Sequence, residues 1–171
     1  DAFRADRILK DHGVAPEAWI AEWLLLDGIR ALQDPDGESL YLRLSTKPVD
    51  QAPFTALVGR RGEEAVRADV LAGGFWLMEP QEDGDAVILA TCGAMVPEVL
   101  EAAALLADDE GVSAGVLCLS SPDRLYRDWR TRRLTHLHDL SAAREPSHLE
   151  RLVPPALRRL PVVTTIDGAS H

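Results

Sequence analysis

The sequence predicts an α/β protein whose open, three-layer sheet is mainly parallel. Two apolar runs, at 86–90 and 116–119, are continuous rather than alternating, which is typical of strands covered on both faces. Between them, apolar residues recur at helical spacing, at Val96, Val99, Leu100, Ala103 and Leu106. Two strands joined by one helix make a parallel pair. The other segments are therefore expected to pack on this strand–helix–strand unit.

The ends of the central helix are marked in the sequence. Pro97 suits the first helical turn because its missing N–H would have no partner there. Glu98 and Glu101 favour the positive end of the helix dipole, and Gly111 ends the helical region. Cys92-Gly93-Ala94 separates this helix from the strand before it.

A strongly apolar helix is predicted upstream, from Pro16 to about Gln33. Its four consecutive bulky residues, Trp23 to Leu26, cannot share one face, so the helix is expected to be buried on more than one side. It lies either between the sheet and a second subunit or under other segments of the same chain. A short helix at Asp1–His12, closed by Gly13, is predicted before it.

The segments between this helix and the central unit have weaker patterns. They predict a turn at Asp34–Gly37, a strand at Leu40–Ser45, a connector at Thr46–Arg61, a short helical turn at Glu63–Val70 and an edge strand at Gly73–Glu79. The strand at Leu40–Ser45 rests on leucines at a spacing of two.

After the central unit, Ser121-Pro122-Asp123 is a strong helix start, with a serine cap, a proline and an acid in the first turn. Leu125, Tyr126 and Trp129 would form the apolar stripe of that helix. A loop is predicted at Thr131–Pro146, then a helix at Ser147–Leu160 interrupted by Pro154 and Pro155, then a third strand at Pro161–Asp167.

Charge excludes one class of function. The 171 residues include 18 basic and 28 acidic side chains, for a net charge of −10, which argues against a general nucleic-acid or anionic-membrane surface. The exception is a local run of arginines, for which a solvated, salt-bridged helix face is favoured over an anion site. Its members are Arg124, Arg127, Arg130, Arg132 and Arg133. With no signal peptide or membrane-length apolar run, a cytoplasmic protein is expected.

The two cysteines, Cys92 and Cys118, lie at the ends of the predicted buried strands. Reduced core residues are the favoured interpretation. A redox pair is the alternative, although the spacing matches no thiol motif.

Two histidines form the clearest candidate metal site. His136 and His138 are two residues apart, as on one face of a strand, and Asp139 is a candidate third ligand. The segment has no strand pattern, and zinc sites use three or four protein ligands. Histidines in a mobile loop are therefore the favoured interpretation.

The remaining polar candidates are explained more simply by structure than by chemistry. Thr91–Met95 lies where open α/β sheets bind anions, but its single glycine favours a tight packing turn. Ser120 and Ser121 are not in a nucleophile elbow. Two acids, Asp123 and Asp128, fit helix-end electrostatics. Asp167 and His171 follow the last strand without a nucleophilic partner.

One stretch resembles a known family. Residues 85–129, DAVILATCGAMVPEVLEAAALLADDEGVSAGVLCLSSPDRLYRDW, resemble the opening of the C-terminal domain of transketolase-like thiamine diphosphate enzymes. Within that family, Ser121 to Asp128 is most similar to the homodimeric bacterial pyruvate dehydrogenase component. The resemblance spans roughly residues 17–168.

The resemblance implies a domain organisation. Residues 1–46 would be the tail of a pyrimidine-binding domain, 47–72 a linker, and 73–171 a transketolase C-terminal-like domain truncated at its end. The parent enzyme would bind thiamine diphosphate and magnesium, form a homodimer, and pass its acyl group to a lipoyl-bearing acyltransferase.

The family's functional motifs are not found in this sequence. The Gly-Asp-Gly…Asn motif for magnesium and diphosphate is missing, and Asp83-Gly84-Asp85 has the wrong order. The activating glutamate would precede Asp1, and a last helix and strand would follow His171. No catalytic, cofactor-binding or metal residue is therefore assigned, and the chain is expected to be structural, dimer-forming and inactive by itself.

Two other functions remain open. A stand-alone flavodoxin-like binding or regulatory module would use the strand ends near Cys92, Gly93 and Ser120. A transketolase or deoxyxylulose phosphate synthase C-terminal domain would have the same fold and a different substrate.

Overall fold

The computed structural model describes residues 17–37, 39–44, 49–81, 84–138 and 145–166. In these ranges the helices are α1 (Glu17–Ala31), α2 (Ala52–Arg61), α3 (Glu63–Ala72), α4 (Val96–Glu110), α5 (Pro122–His138) and α6 (His148–Leu152). The strands are β1 (Gly74–Met78), β2 (Ala86–Thr91), β3 (Ser113–Leu119) and β4 (Val162–Thr165). Short 3₁₀ turns lie at Gly93–Met95 and Leu157–Arg159. The helix predicted at Asp1–His12 lies outside the described residues.

The four strands form one mixed sheet in the order β1-β3-β2-β4. β2 is parallel to both of its neighbours, whereas β1 is antiparallel to β3. The predicted parallel pairing of the two apolar strands through α4 is confirmed. The edge strand predicted at Gly73–Glu79 is also confirmed, as β1. The protein therefore has an α/β fold, and its sheet is mainly parallel.

Helices cover both faces of the sheet, as the continuous apolar strands predict. Alternate residues of β2 belong to different cores: Leu89 packs in the larger cluster and Ile88 in the smaller one. The larger cluster contains buried residues of α1, α2, α3 and α4; the smaller one contains Leu125 of α5 and Leu152 of α6. This alternation follows from the period of two along a strand.

Two segments predicted as a connector and a loop are helical in the structure, so both predictions are wrong. In the predicted connector Thr46–Arg61, α2 begins with Pro53 in its first turn and buries Phe54 and Leu57, three residues apart. In the predicted loop Thr131–Pro146, α5 continues to His138. The i,i+4 bridge from Asp128 to Arg132 supports that extension.

The predicted short helix at Glu63–Val70 is longer in the structure. As α3, it runs to Ala72 and ends at Gly73, whose φ is +114°. A Cβ at Gly73 would lie 2.6 Å from the carbonyl oxygen of Ser121. Both the left-handed backbone and this close contact therefore require glycine.

The predicted strand at Leu40–Ser45 is wrong over its described residues, 40–44, which pair with no strand. The side chain of Leu40 packs against Gly28 of α1, where a Cβ would lie 2.3 Å from Leu40 Cδ2. Contact with a helix therefore replaces strand pairing. Ser45 lies outside the described residues.

The predicted upstream helix is confirmed as α1, and only part of its surface is covered. Trp23 and Leu24 are buried, whereas Leu25 and Ile29 are 45% and 44% exposed. The described chain therefore covers one side of α1. The domain boundaries at 46 and 72 stay a prediction.

Candidate functional site

The carboxyl ends of the three parallel strands lie side by side at one edge of the sheet. Thr91, the last residue of β2, pairs in register with Cys118 of β3 and Thr165 of β4. Thr91 is fully buried, and its Oγ1 has no hydrogen-bond partner among the described residues. Open α/β sheets bind ligands at this edge, so the edge is a candidate ligand-binding site.

The turn after β2 is tight and left-handed. Gly93 has φ +58°, and no atom lies within 4 Å of the Cβ that would be added there, so the left-handed backbone explains the glycine. Ala94 is buried. The first charged side chain after Thr91 is Glu98, an acid that would oppose a bound anion. The left-handed backbone of Gly93 fits the tight turn predicted at Thr91–Met95, whereas the open space around it shows that close packing does not require the glycine.

The polar groups after β3 cap the carboxyl end of α3. Ser120 Oγ donates to Val70 O at 2.6 Å, and the Arg124 guanidinium donates to Leu71 O at 2.8 Å. These carbonyls lie in the last turn of a helix, where intrahelical donors are lacking. The contacts account for Ser120 and Arg124 without a catalytic role.

Ser121 has the capping role that the sequence predicts. Its Oγ accepts a hydrogen bond from Arg124 N at 3.3 Å, at the start of α5. This contact supplies an acceptor to an otherwise orphan N–H group.

A buried histidine that the sequence analysis does not single out lies nearby. His148 is 5% exposed, with Nε2 2.8 Å from Gly74 O and 4.0 Å from Asp69 Oδ1. Because a carbonyl oxygen can only accept, Nε2 must hold the proton in this hydrogen bond. That nitrogen is therefore not positioned to act as a base, and the contact fastens α6 to β1.

Asp128 connects α5 to the start of α6. Its Oδ2 accepts from His148 N at 2.7 Å, and its Oδ1 accepts from Arg132 Nε at 2.6 Å. Burial acts to raise the pKa of Asp128, but the hydrogen bonds and charges of His148, Arg132 and Arg151 outweigh it and hold the pKa below its usual value. Contacts with Asp128 and Glu145 raise the pKa of Arg132. This carboxylate is a structural anchor rather than a proton donor at neutral pH.

The two candidate metal ligands do not share a face. His136 and His138 both lie in α5, where residues two apart differ in direction by about 200°. His136 is half-buried and His138 is exposed. Asp139 lies outside the described residues, as do Asp167 and His171. Within the described ranges, no three potential metal-binding side chains cluster.

Most of the arginine run forms the salt-bridged face that the sequence favours. Arg124 pairs with Asp27 at 2.7 Å, Arg127 with Asp123 at 3.0 Å, and Arg132 with Asp128 at 2.6 Å. Arg133 instead stacks over the Trp129 ring, 5.4 Å from its centroid. Of these contacts, the Arg124–Asp27 pair joins α5 to α1, and the other three lie within α5. They do not gather the arginines into one anion site.

Both cysteines are free thiols. Cys118 is buried, and burial, with a smaller contribution from Cys92, raises its pKa to about 12. Cys92 is half-buried. A thiol with so high a pKa is a poor nucleophile at neutral pH, so Cys118 fits the core role predicted for it.

An open groove lies on the α5 side of the sheet, with a volume of about 520 Å³. Its floor is apolar and includes Ile88 of β2 and Val162 of β4, and its walls include Trp129 and Leu149. Three charged side chains also line it, Arg133, Glu150 and Arg158. Their arrangement offers binding surface rather than acid–base chemistry.

The sequence signals the cap beneath this groove but not the buried contacts around it. Ser147-x-x-Glu150 is a capping-box pattern, and both of its hydrogen bonds form at the start of α6. The contacts among Asp69, Asp128 and His148 join residues far apart in sequence, so no local pattern predicts them.

No family model matches the sequence, and no curated protein matches it. Among the described residues, none of the helices combines the length and apolarity needed to span a bilayer.

Proposed function

We propose that this chain is a C-terminal part of a thiamine-diphosphate-dependent pyruvate dehydrogenase component. The observation that supports it most is the 85–129 stretch, whose resemblance to that family coincides with the parallel β2–α4–β3 unit. The next helix, α5, begins at Pro122. Pro122 lies in the Ser121–Asp128 segment that is most similar to the homodimeric bacterial pyruvate dehydrogenase component.

The finer fold assignment belongs to the same proposal. A transketolase C-terminal-like domain has three layers, and helices on both faces of the sheet are compatible with that arrangement. The antiparallel edge strand β1, at the predicted entry to the domain, gives further support.

The proposed role of this part is to support the enzyme by subunit packing. The parent would decarboxylate a 2-oxo acid oxidatively in the cytoplasm and pass the acyl group to a lipoyl-bearing acyltransferase. Homodimerisation is supported by exposed apolar side chains on α1, Leu25 and Ile29, and by Leu32 directly after the helix. Apolar faces of this kind are common at subunit interfaces.

Two measurements test the proposal. Calorimetric titration of the isolated chain with thiamine diphosphate and magnesium should show no saturable binding in the micromolar range, because the diphosphate motif is missing. Saturable binding would contradict the supporting role.

The second measurement tests the parent enzyme. Antibodies against the chain should deplete thiamine-dependent pyruvate decarboxylation from an extract of the source cells. They should also detect a polypeptide several times longer than 171 residues. Undiminished activity after complete depletion would contradict the assignment.

The second candidate, a flavodoxin-like binding module, is favoured by one observation. The fully buried Thr91 hydroxyl at the carboxyl end of the central strand has no partner among the described residues. Against it, the Ser120 hydroxyl proposed for that site already donates to Val70 O. Amide chemical shifts of residues 91–95 that move on addition of a nucleotide or inorganic phosphate would favour this alternative. The alternative of a transketolase or deoxyxylulose phosphate synthase C-terminal domain rests on the sequence resemblance alone.

A further inference from the structure

We draw no further inference here: the strongest candidate, the open groove on the α5 side of the sheet beside Trp129 and Arg133, carries none because nothing in the structure shows what covers its apolar floor.

Discussion

At the residue scale, Gly115 is required by the close approach of β3 to the segment after β1. An added Cβ would lie 2.4 Å from Pro80 Cδ, 2.7 Å from Pro80 N and 2.9 Å from the Trp76 ring. Gly115→Ala is therefore expected to lower the free energy of unfolding by about 1–3 kcal/mol, through overpacking of a buried site. Urea denaturation measures the change.

The matched control is Gly59, within α2, where no atom lies within 4 Å of an added Cβ. Gly59→Ala should raise the free energy of unfolding by about 0.5–1 kcal/mol, because alanine is the better helix former. Equal effects of the two substitutions would show that the contact at Gly115 is not tight.

The two thiols should differ in reactivity in the folded protein. Cys118 is buried with a pKa of about 12, so its thiolate is scarce near pH 8 and reagents cannot reach it. Mass spectrometry after iodoacetamide treatment should show modification of Cys92 only, with both thiols reacting in denaturant. Cys92→Ala should abolish native labelling; labelling of that variant at Cys118 would contradict the described burial.

At the scale of the element, α6 depends on its capping box because it has only five residues. Ser147 Oγ accepts from Glu150 N at 3.2 Å, and Glu150 Oε2 accepts from Ser147 N at 2.9 Å. Ser147→Ala should lower the free energy of unfolding by about 1 kcal/mol, because it removes the acceptor that caps α6. Ser147 is also fully buried.

Hydrogen exchange separates a local effect from a global one. Amides of residues 148–152 should lose protection in Ser147→Ala before those of α4 do. Ser121 offers a comparison cap on the longer helix α5, where Ser121→Ala should leave the protection of α6 unchanged.

At the scale of the whole molecule, Asp128 links folding to pH by tying α5 to α6. Its folded pKa lies below the usual 3.8, so its stabilisation is fully present above that value and is lost as pH falls below it. The wild-type chain should exceed Asp128→Asn in stability by about 1–2 kcal/mol near neutral pH.

The difference should shrink as pH falls below about 4. Urea midpoints across that range measure it, with Asp123→Asn as control because Asp123 makes an exposed i,i+4 pair worth little. A difference independent of pH would mean that the carboxylate of Asp128 is not the stabilising group.

How far the sequence predicts the fold depends on whether the signal is local. The β2–α4–β3 unit follows from apolar runs, a proline and a glycine within 35 residues of one another, and its strands are parallel as expected. The sequence analysis misses α2 because Pro53 is typical of loop sequence. It misses the end of α5 because the last turns of that helix are polar. The helical state of these two segments depends on buried Phe54 and on side-chain pairs along the helix.

In the candidate site, too, features with a local sequence signal are predicted and features that depend on distant contacts are not. By itself, the sequence determined the α/β class, the central parallel pair, the capping role of Ser121 and the resemblance of residues 85–129. Only the tertiary structure decided that Asp69, Asp128 and Gly74 meet at His148 and that His136 and His138 point apart. Periodicity and capping act between neighbours in sequence, whereas these contacts join segments whose meeting depends on the packing of the whole sheet.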